Sequence, residues 1–227
     1  MLTDILFPKL CLGCGFLGGY ICKNCWEKLL VINKDTCLYC GKASLFGYTH
    51  PRCLKDNGAS VIISGYYYGP TLKKIIKAIK YRLVKEAVPE LFNQLNDNFV
   101  YKIKNCIEKK KRVFFQPIPQ SKTRFNERGF NFAELLSNYI FKIFYNNTNK
   151  GDFLIRGGNP LPQAQIKEKE KRIKNILGSF SVKKLLPNVT IFLVDDVVTS
   201  GATVKEATRV LKDAGAKEVG IISLARG

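Results

Sequence analysis

Downstream of residue 58, short stretches of extended or alternating apolar character are interleaved with stretches whose apolar residues recur at helical spacing. The segment SGYYYGPTLKKIIKAIKYR alternates up to Tyr68, then places Leu72, Ile75, Ile76 and Ile79 on one helical face. VFFQPIPQSKTRFNERGFNFAELLSNYIFKIF opens as a strand, turns through Pro117 and Pro119, and re-enters a helix near Asn131. QAQIKEKEKRIKNILGSFSV reads as a basic helix followed by a short strand. Residues 191–194, all apolar, have the pattern of a central parallel strand buried on both faces, and the strand is expected to end at Asp195 and Asp196. A Ser/Thr/Gly loop then opens the helix TVKEATRVLKDAG, which Gly215 closes. Strands alternating with helices predict an α/β domain with a mostly parallel sheet flanked by helices.

The first 57 residues follow another rule. Cys11 and Cys14, Cys22 and Cys25, and Cys37 and Cys40 form three C-x2-C pairs, and His50 with Cys53 repeats the spacing as H-x2-C. Two thiolates so spaced on a tight turn can face one metal, and Gly15 and Gly41 follow two of the pairs where that turn needs a permissive backbone. Seven cysteines and the single histidine are enough for two closed, structural Zn2+ sites. The pairing could be sequential or cross-braced, and spacing allows both. A disulfide scaffold fits less well, because the amino terminus lacks the basic region and apolar core of a secretion signal. Cys106, far from the others, reads as a buried core thiol. The chain thus divides into a cysteine-rich module over residues 1–57 and an α/β domain over residues 58–227, with no apolar run long enough to span a bilayer; a cytoplasmic location is expected.

Lys and Arg number 37 against 18 Asp and Glu, a net charge of +19 that falls mainly on the second domain. Such a surplus favours phosphates, anionic ligands or nucleic acid. It also fits compositional drift, since lysine far outnumbers arginine and asparagine is abundant. The candidate nucleic-acid contacts are Lys109, Lys110, Lys111 and Arg112, and the lysine-rich stretch from Lys167 to Lys174.

The sharpest motif is TIFLVDDVVTSGAT, residues 190–203. In open α/β sheets ligands bind beyond the carboxyl ends of the strands. There the loop amides and the following helix terminus can cradle a phosphate, and two adjacent carboxylates can hold a vicinal diol or a Mg2+ ion. A lone acid pair would cap a helix just as well; the ordered run of strand, two acids, two apolar residues and T-S-G-A-T is far more specific. No G-x4-G-K-[ST] sequence occurs. This stretch resembles the phosphoribosyl pyrophosphate (PRPP) motif of type I phosphoribosyltransferases. With the cysteine module, the Y-G at Tyr68 and Gly69, the R-x3-R-G-F-N at 124–131 and the R-x2-N-x4-F at 172–180, almost the whole chain resembles the ComF family.

That resemblance implies a Rossmann-like type I phosphoribosyltransferase fold behind a double zinc ribbon. It implies that Asp195 and Asp196 hold the ribose hydroxyls and Mg2+, and that Thr199, Ser200, Gly201, Ala202 and Thr203 bind the 5-phosphate. Pro119 and Gln120 would belong to the pyrophosphate loop, with Arg124 and Arg128, one helical turn apart, neutralising the diphosphate. Departures from the family pattern fall elsewhere: Arg156 is the one arginine of RGGNPLPQAQ, the family's glutamine could be Gln163 or Gln165, and Phe132 replaces another. Thr199 stands where 6-oxopurine salvage enzymes carry an aspartate, which argues against hypoxanthine or guanine as acceptor. Two functions follow as expectations: phosphoribosyl transfer to an unidentified acceptor, or a PRPP-sensing factor for DNA uptake without turnover. The expected partners of the second are single-stranded DNA and a competence helicase or another protein docking on the zinc ribbon.

Overall fold

The structure, a computed structural model, describes residues 8–157, 176–184 and 187–227. Gln163, Gln165, Arg172, Asn175 and the stretch from Lys167 to Lys174 lie outside the described residues. Among its described residues the cysteine-rich module contains a short α-helix, α1 (Lys23–Glu27), and a 3-10 turn at Leu45–Gly47. The chain then runs β1 (Val61–Tyr67), α2 (Pro70–Tyr81), α3 (Val88–Asn93), α4 (Asp97–Ile107), β2 (Val113–Pro117), α5 (Lys122–Arg128) and α6 (Phe132–Phe144). It continues through β3 (Thr148–Lys150), β4 (Leu154–Arg156), β5 (Phe180–Val182), β6 (Thr190–Val198), α7 (Ala202–Asp213) and β7 (Glu218–Arg226).

Five strands form a parallel sheet in the order β1-β7-β6-β2-β3, and β4 pairs with β5 as a separate antiparallel hairpin. Period-two alternation divides the central strands between two cores. Phe192, Val194, Ile222 and Leu224 face α2, α3, α4 and α6, whereas Ile191, Leu193, Val219 and Ile221 face α7 and the β4–β5 hairpin. Because both faces are covered, β6 reads as an unbroken apolar run. From β2 the chain moves outward to β3; from β6 it moves the other way to β7. The carboxyl ends of β2 and β6 therefore flank the point where the connections diverge, and a crevice opens there.

Local chemistry fixes the elements around that crevice. Pro70 starts α2 with a preset φ, and Leu72, Ile75, Ile76 and Ile79 are all buried on its inner face. Ser121 caps α5 by accepting from the Arg124 amide, and Gly129 ends it in the left-handed region. Asn131 caps α6 through the Ala133 amide at 3.1 Å while donating to the Ile118 carbonyl at 3.0 Å, which ties the loop after β2 to the next helix. The apolar pattern assigns no element to 122–128, although Arg124 and Arg128 read as one helical turn apart; α5 is that turn, extended to seven residues.

The cysteine module lies along β1. Val31 bridges to Tyr66 and Tyr48 to Val61, both antiparallel, and the amides of Ile32 and Tyr67 bond to the Gly65 and Leu30 carbonyls. Lys102 on α4 reaches Asp35 at 2.7 Å, and both side chains are largely buried. No helix among the described residues is long and apolar enough to cross a membrane. Cys106 is buried, as expected, in the core beside Ile103 and Ile107.

Candidate functional site

Strand β6 does not stop at the acid pair but continues to Val198, a correction with a clear cause. Strand β7 pairs with β6 along its whole length, opposite Asp195 with Ser223 and opposite Val198 with Arg226. Strand β2, in contrast, ends at Pro117 opposite Val194, with one further bond from the Ile118 amide to the Val194 carbonyl at 2.8 Å. Beyond Val194 one edge of β6 is unpaired. The carboxylates themselves accept neighbouring backbone amides, Asp195 that of Asp196 at 2.9 Å and Asp196 that of Val197 at 2.6 Å.

The acids line a cleft of about 640 Å³, within the range of small-molecule sites, whose walls include Pro119, Gln120, Arg124, Arg128, Thr199 and Thr203. A connected recess of about 60 Å³ is lined by residues 197–204, so Ser200, Gly201 and Ala202 stand around the start of α7. Gly201 is the N-cap with φ 72°, a conformation suited to glycine, and the Ser200 hydroxyl before it accepts the Ala202 amide at 3.4 Å. The expected residues are therefore brought together at one crevice. Gln120 has a further tie, donating to the Phe130 carbonyl at 2.7 Å.

Burial, followed by the charge of Asp196, pushes Asp195 up to about 7, against the pull of Lys80 and Arg156. Asp196 is ion-paired with Lys80 from the last turn of α2. Arg156, at the end of β4, lies 5.3 Å over the Phe180 ring and 3.4 Å from the Pro119 carbonyl. Burial and then the like charge of Arg124 lower its pKa, while Asp195 raises it. Arg128 stacks 5.2 Å from Tyr81. The Nε atoms of Arg128 and Arg156 are buried without a hydrogen-bond partner among the described residues. Sequence reasoning missed Lys80, Tyr68 and Tyr81 at the cleft, and named Arg156 only as a remnant of the family's loop. Lys80 follows the apolar repeat of α2 and looked like one more solvated lysine.

The metal ligands resolve the pairing left open by their spacing. Cys11, Cys14, Cys22 and Cys25 converge, as do Cys37, Cys40, His50 and Cys53, with the ligand atoms of each set within 4.8 Å of one another. The arrangement is sequential. Gly15 and Gly41, at φ 83° and 72°, close matching turns in which their amides bond to the Cys11 and Cys37 carbonyls. Burial raises the Cys11 thiol, but amides of Cys22, Cys14 and Gly13 outweigh it and bring the pKa down to about 6. For Cys37 burial is likewise overcome by the amides of Cys40, His50 and Tyr39, with the same result of about 6. His50 Nδ1 lies 3.3 Å from Cys40 Sγ, and its Nε2 donates to the Ala43 carbonyl at 2.9 Å, which fixes the tautomer that offers Nδ1 to a metal. Four soft ligands in each cluster fit tetrahedral, structural zinc.

The basic stretch at 109–112 lies at the amino-terminal end of β2, away from the cleft. Lys110 pairs with Glu218 and Arg112 donates to the Pro187 carbonyl at 2.8 Å, so two of these four candidate DNA contacts already have partners; Lys109 and Lys111 are exposed.

The parallel sheet carries an acid pair and a Thr/Ser/Gly loop at its divergence point, and residues 127–227 match the phosphoribosyl transferase domain family. Residues 2–55 match the double zinc ribbon domain. Competence protein F of Haemophilus influenzae is 26% identical over 216 residues, covering 91% of this chain and 90% of that protein. Competence protein ComFC of Bacillus subtilis is 28% identical over 208 residues, covering 86% of this chain and 79% of its own. Both modules thus match known domain families, and over most of its length the chain is similar to competence proteins F and ComFC.

Proposed function

We propose that the crevice binds PRPP together with Mg2+ and transfers its phosphoribosyl group to an acceptor. The observation that carries this reading is that the Asp195–Asp196 pair shares one cleft with the half-buried guanidinium groups of Arg128 and Arg156, whose Nε atoms are buried without a hydrogen-bond partner among the described residues. Buried donors without acceptors cost free energy until an anion meets them. On this reading the 5-phosphate sits against residues 199–203, the ribose hydroxyls against the acids, and the diphosphate near Arg124, Arg128 and Arg156.

The acid pair also fits a divalent cation, because only Asp196 has an ammonium partner and Asp195 is left under-neutralised. Mg2+, held by Asp195 and Asp196, would supply charge neutralisation of the diphosphate. In the transfer, the bond from C1 of the ribose to the pyrophosphate oxygen breaks, and the leaving group departs with the electron pair. The acceptor's lone pair forms the new bond to C1, and the acceptor proton passes to water or to the released pyrophosphate. The chain's contribution is positioning and electrostatic stabilisation of the leaving group, without a covalent enzyme nucleophile.

A titration calorimeter tests the binding. PRPP with Mg2+ should bind and raise the melting temperature, since it binds only the folded state. Asp195→Ala combined with Asp196→Ala should remove both effects in a protein that still folds. Unchanged affinity in that variant would place the ligand elsewhere. A pyrophosphate-release screen across bases and amines then separates transfer from binding alone. Binding without turnover, in the service of DNA uptake, is the second reading, supported by the names of the relatives and the net charge of +19.

A further inference from the structure

Only one of the two zinc-ligand clusters is seated against the phosphate loop in the contacts described. Between Cys37 and Cys40 stand Leu38 and Tyr39. Leu38 is buried at 8% exposure in the core that holds Val198 and Val204, and lies so close to Gly201 that a Cβ there would be 3.1 Å from its Cδ1. The ring of Tyr39 carries Lys205 Nζ at 5.2 Å from its centre, and its hydroxyl accepts the Ala59 amide at 2.8 Å. Arg226, opposite Val198 in the sheet, donates to the Thr36 and Cys37 carbonyls at 2.7 and 3.2 Å. The loop that begins at Thr199 is thus underpinned at Gly201, at Lys205 on the next helix, and through the strand pairing beneath it.

The other cluster is anchored elsewhere. Cys11, Cys25 and Leu29 pack into the core on the α2–α3 face, and the Ile21 amide bonds to Glu90 at 3.1 Å. Both clusters have the same local turn, so the difference lies in what the residues inside the turn touch. Gly201 is held in the left-handed region, and the side-chain bond at the start of α7 is a long one, the Ala202 amide to Ser200 Oγ at 3.4 Å, so the loop's shape also depends on what it packs against. Metal binding at Cys37, Cys40, His50 and Cys53 would fix the turn that presents Leu38 and Tyr39.

We propose that Leu38 and Tyr39 are positioning residues for the phosphate loop, so that metal in the second cluster and PRPP in the crevice strengthen each other's binding while the first cluster is independent. This rests on the PRPP reading above. Thermodynamic linkage makes the coupling reciprocal, and packed side chains with a shared surface are the means of transmission.

The experiment uses the full-length zinc-loaded protein, with Leu38→Ala compared against Leu12→Ala, the matched position in the first cluster. Zinc content and PRPP–Mg2+ affinity are measured for each. Leu38→Ala should retain two zinc ions and raise the PRPP Kd about threefold or more, whereas Leu12→Ala leaves Kd unchanged. Leu38→Ala with wild-type affinity overturns the coupling. As a second measurement that needs no variant, zinc release to a chelator is followed in the wild-type protein with and without PRPP–Mg2+. The ligand should slow release of one ion of the two; equal effect on both, or on neither, overturns the proposal. Wild-type protein with no PRPP affinity would defeat the parent reading and the coupling together, an outcome distinct from wild-type binding that Leu38→Ala leaves intact.

Discussion

Replacing Asp195 by Asn should make the ligand-free protein more stable at neutral and alkaline pH. The carboxyl sits at the crevice beside Asp196, and burial followed by that neighbour moves it from 3.8 to about 7. A carboxyl raised in the folded state binds a proton there that the unfolded chain has released. Stability is therefore fully present below 3.8 and falls as pH rises towards and through about 7. Each pKa step of one corresponds to about 1.36 kcal/mol, which gives a cost of about 4 kcal/mol above pH 8. Asn keeps the shape and can still accept the Asp196 amide, so the variant recovers most of that cost. For a chain of this size about 4 kcal/mol is a rise in melting temperature of about 10 °C. Thermal melts of both proteins from pH 5 to 8.5 measure the gap. It should be largest at pH 8.5 and shrink steadily towards acid. A gap that is constant with pH, grows towards acid, or reverses sign at pH 8.5 would show that the charge of Asp195 is not the source. The same substitution should abolish PRPP–Mg2+ binding, because the charge that costs stability is the one the ligand needs.

Elemental analysis should find two zinc ions per chain, and Cys37→Ser should leave one, because the clusters are sequential and share no ligand; loss of both would contradict that separation. Single-stranded DNA should bind at near-physiological salt, with affinity falling steeply as salt rises. Replacing Lys109 and Lys111 by Ala should weaken that binding without changing PRPP affinity. No detectable DNA binding at that salt would remove the charge argument and leave the transferase reading ahead.

The sequence made the central strand, the acid pair, the loop before α7 and both four-residue metal-ligand sets legible, because each follows a local rule of period or spacing. Helix α2 was equally clear, since Leu72, Ile75, Ile76 and Ile79 form one face and all four are buried. Helix α5 was not, and its burial explains why: none of its seven residues is buried, so there is no apolar repeat to read. It places Arg124 and Arg128 at the cleft. The extension of β6 through Asp195 and Asp196 was hidden because the partner that sustains it, β7, comes from 28 residues further on and contributes a register rather than a motif. Lys80 and Arg156 reach the acids from elements distant in sequence, and nothing next to them in the chain distinguishes them from other basic residues. Sequential metal pairing was undecidable for a related reason, since identical C-x2-C spacing serves either connectivity.

The position of the zinc-ribbon module follows from what a parallel sheet leaves exposed. Five strands have two edges, and an uncovered edge strand invites pairing with another chain. One edge is β3, only three residues long and ending in Lys150, too short and too charged to template much. The other is β1, seven residues long and apolar for most of its length, and it cannot be left open. The module closes it with antiparallel bridges at Tyr66 and Val61 and with amide bonds at Gly65 and Tyr67. A segment of about 50 residues has too small a core to hold such a shape unaided, and two metal clusters make up the deficit. Covering β1 also brings the module to β7, its neighbour in the sheet, and Arg226 at the end of β7 bonds to the backbone at Thr36 and Cys37. Protection of the sheet edge and contact with the loop at 199–203 are thus consequences of one placement, which is why the second cluster, rather than the first, carries the residue that packs on Gly201.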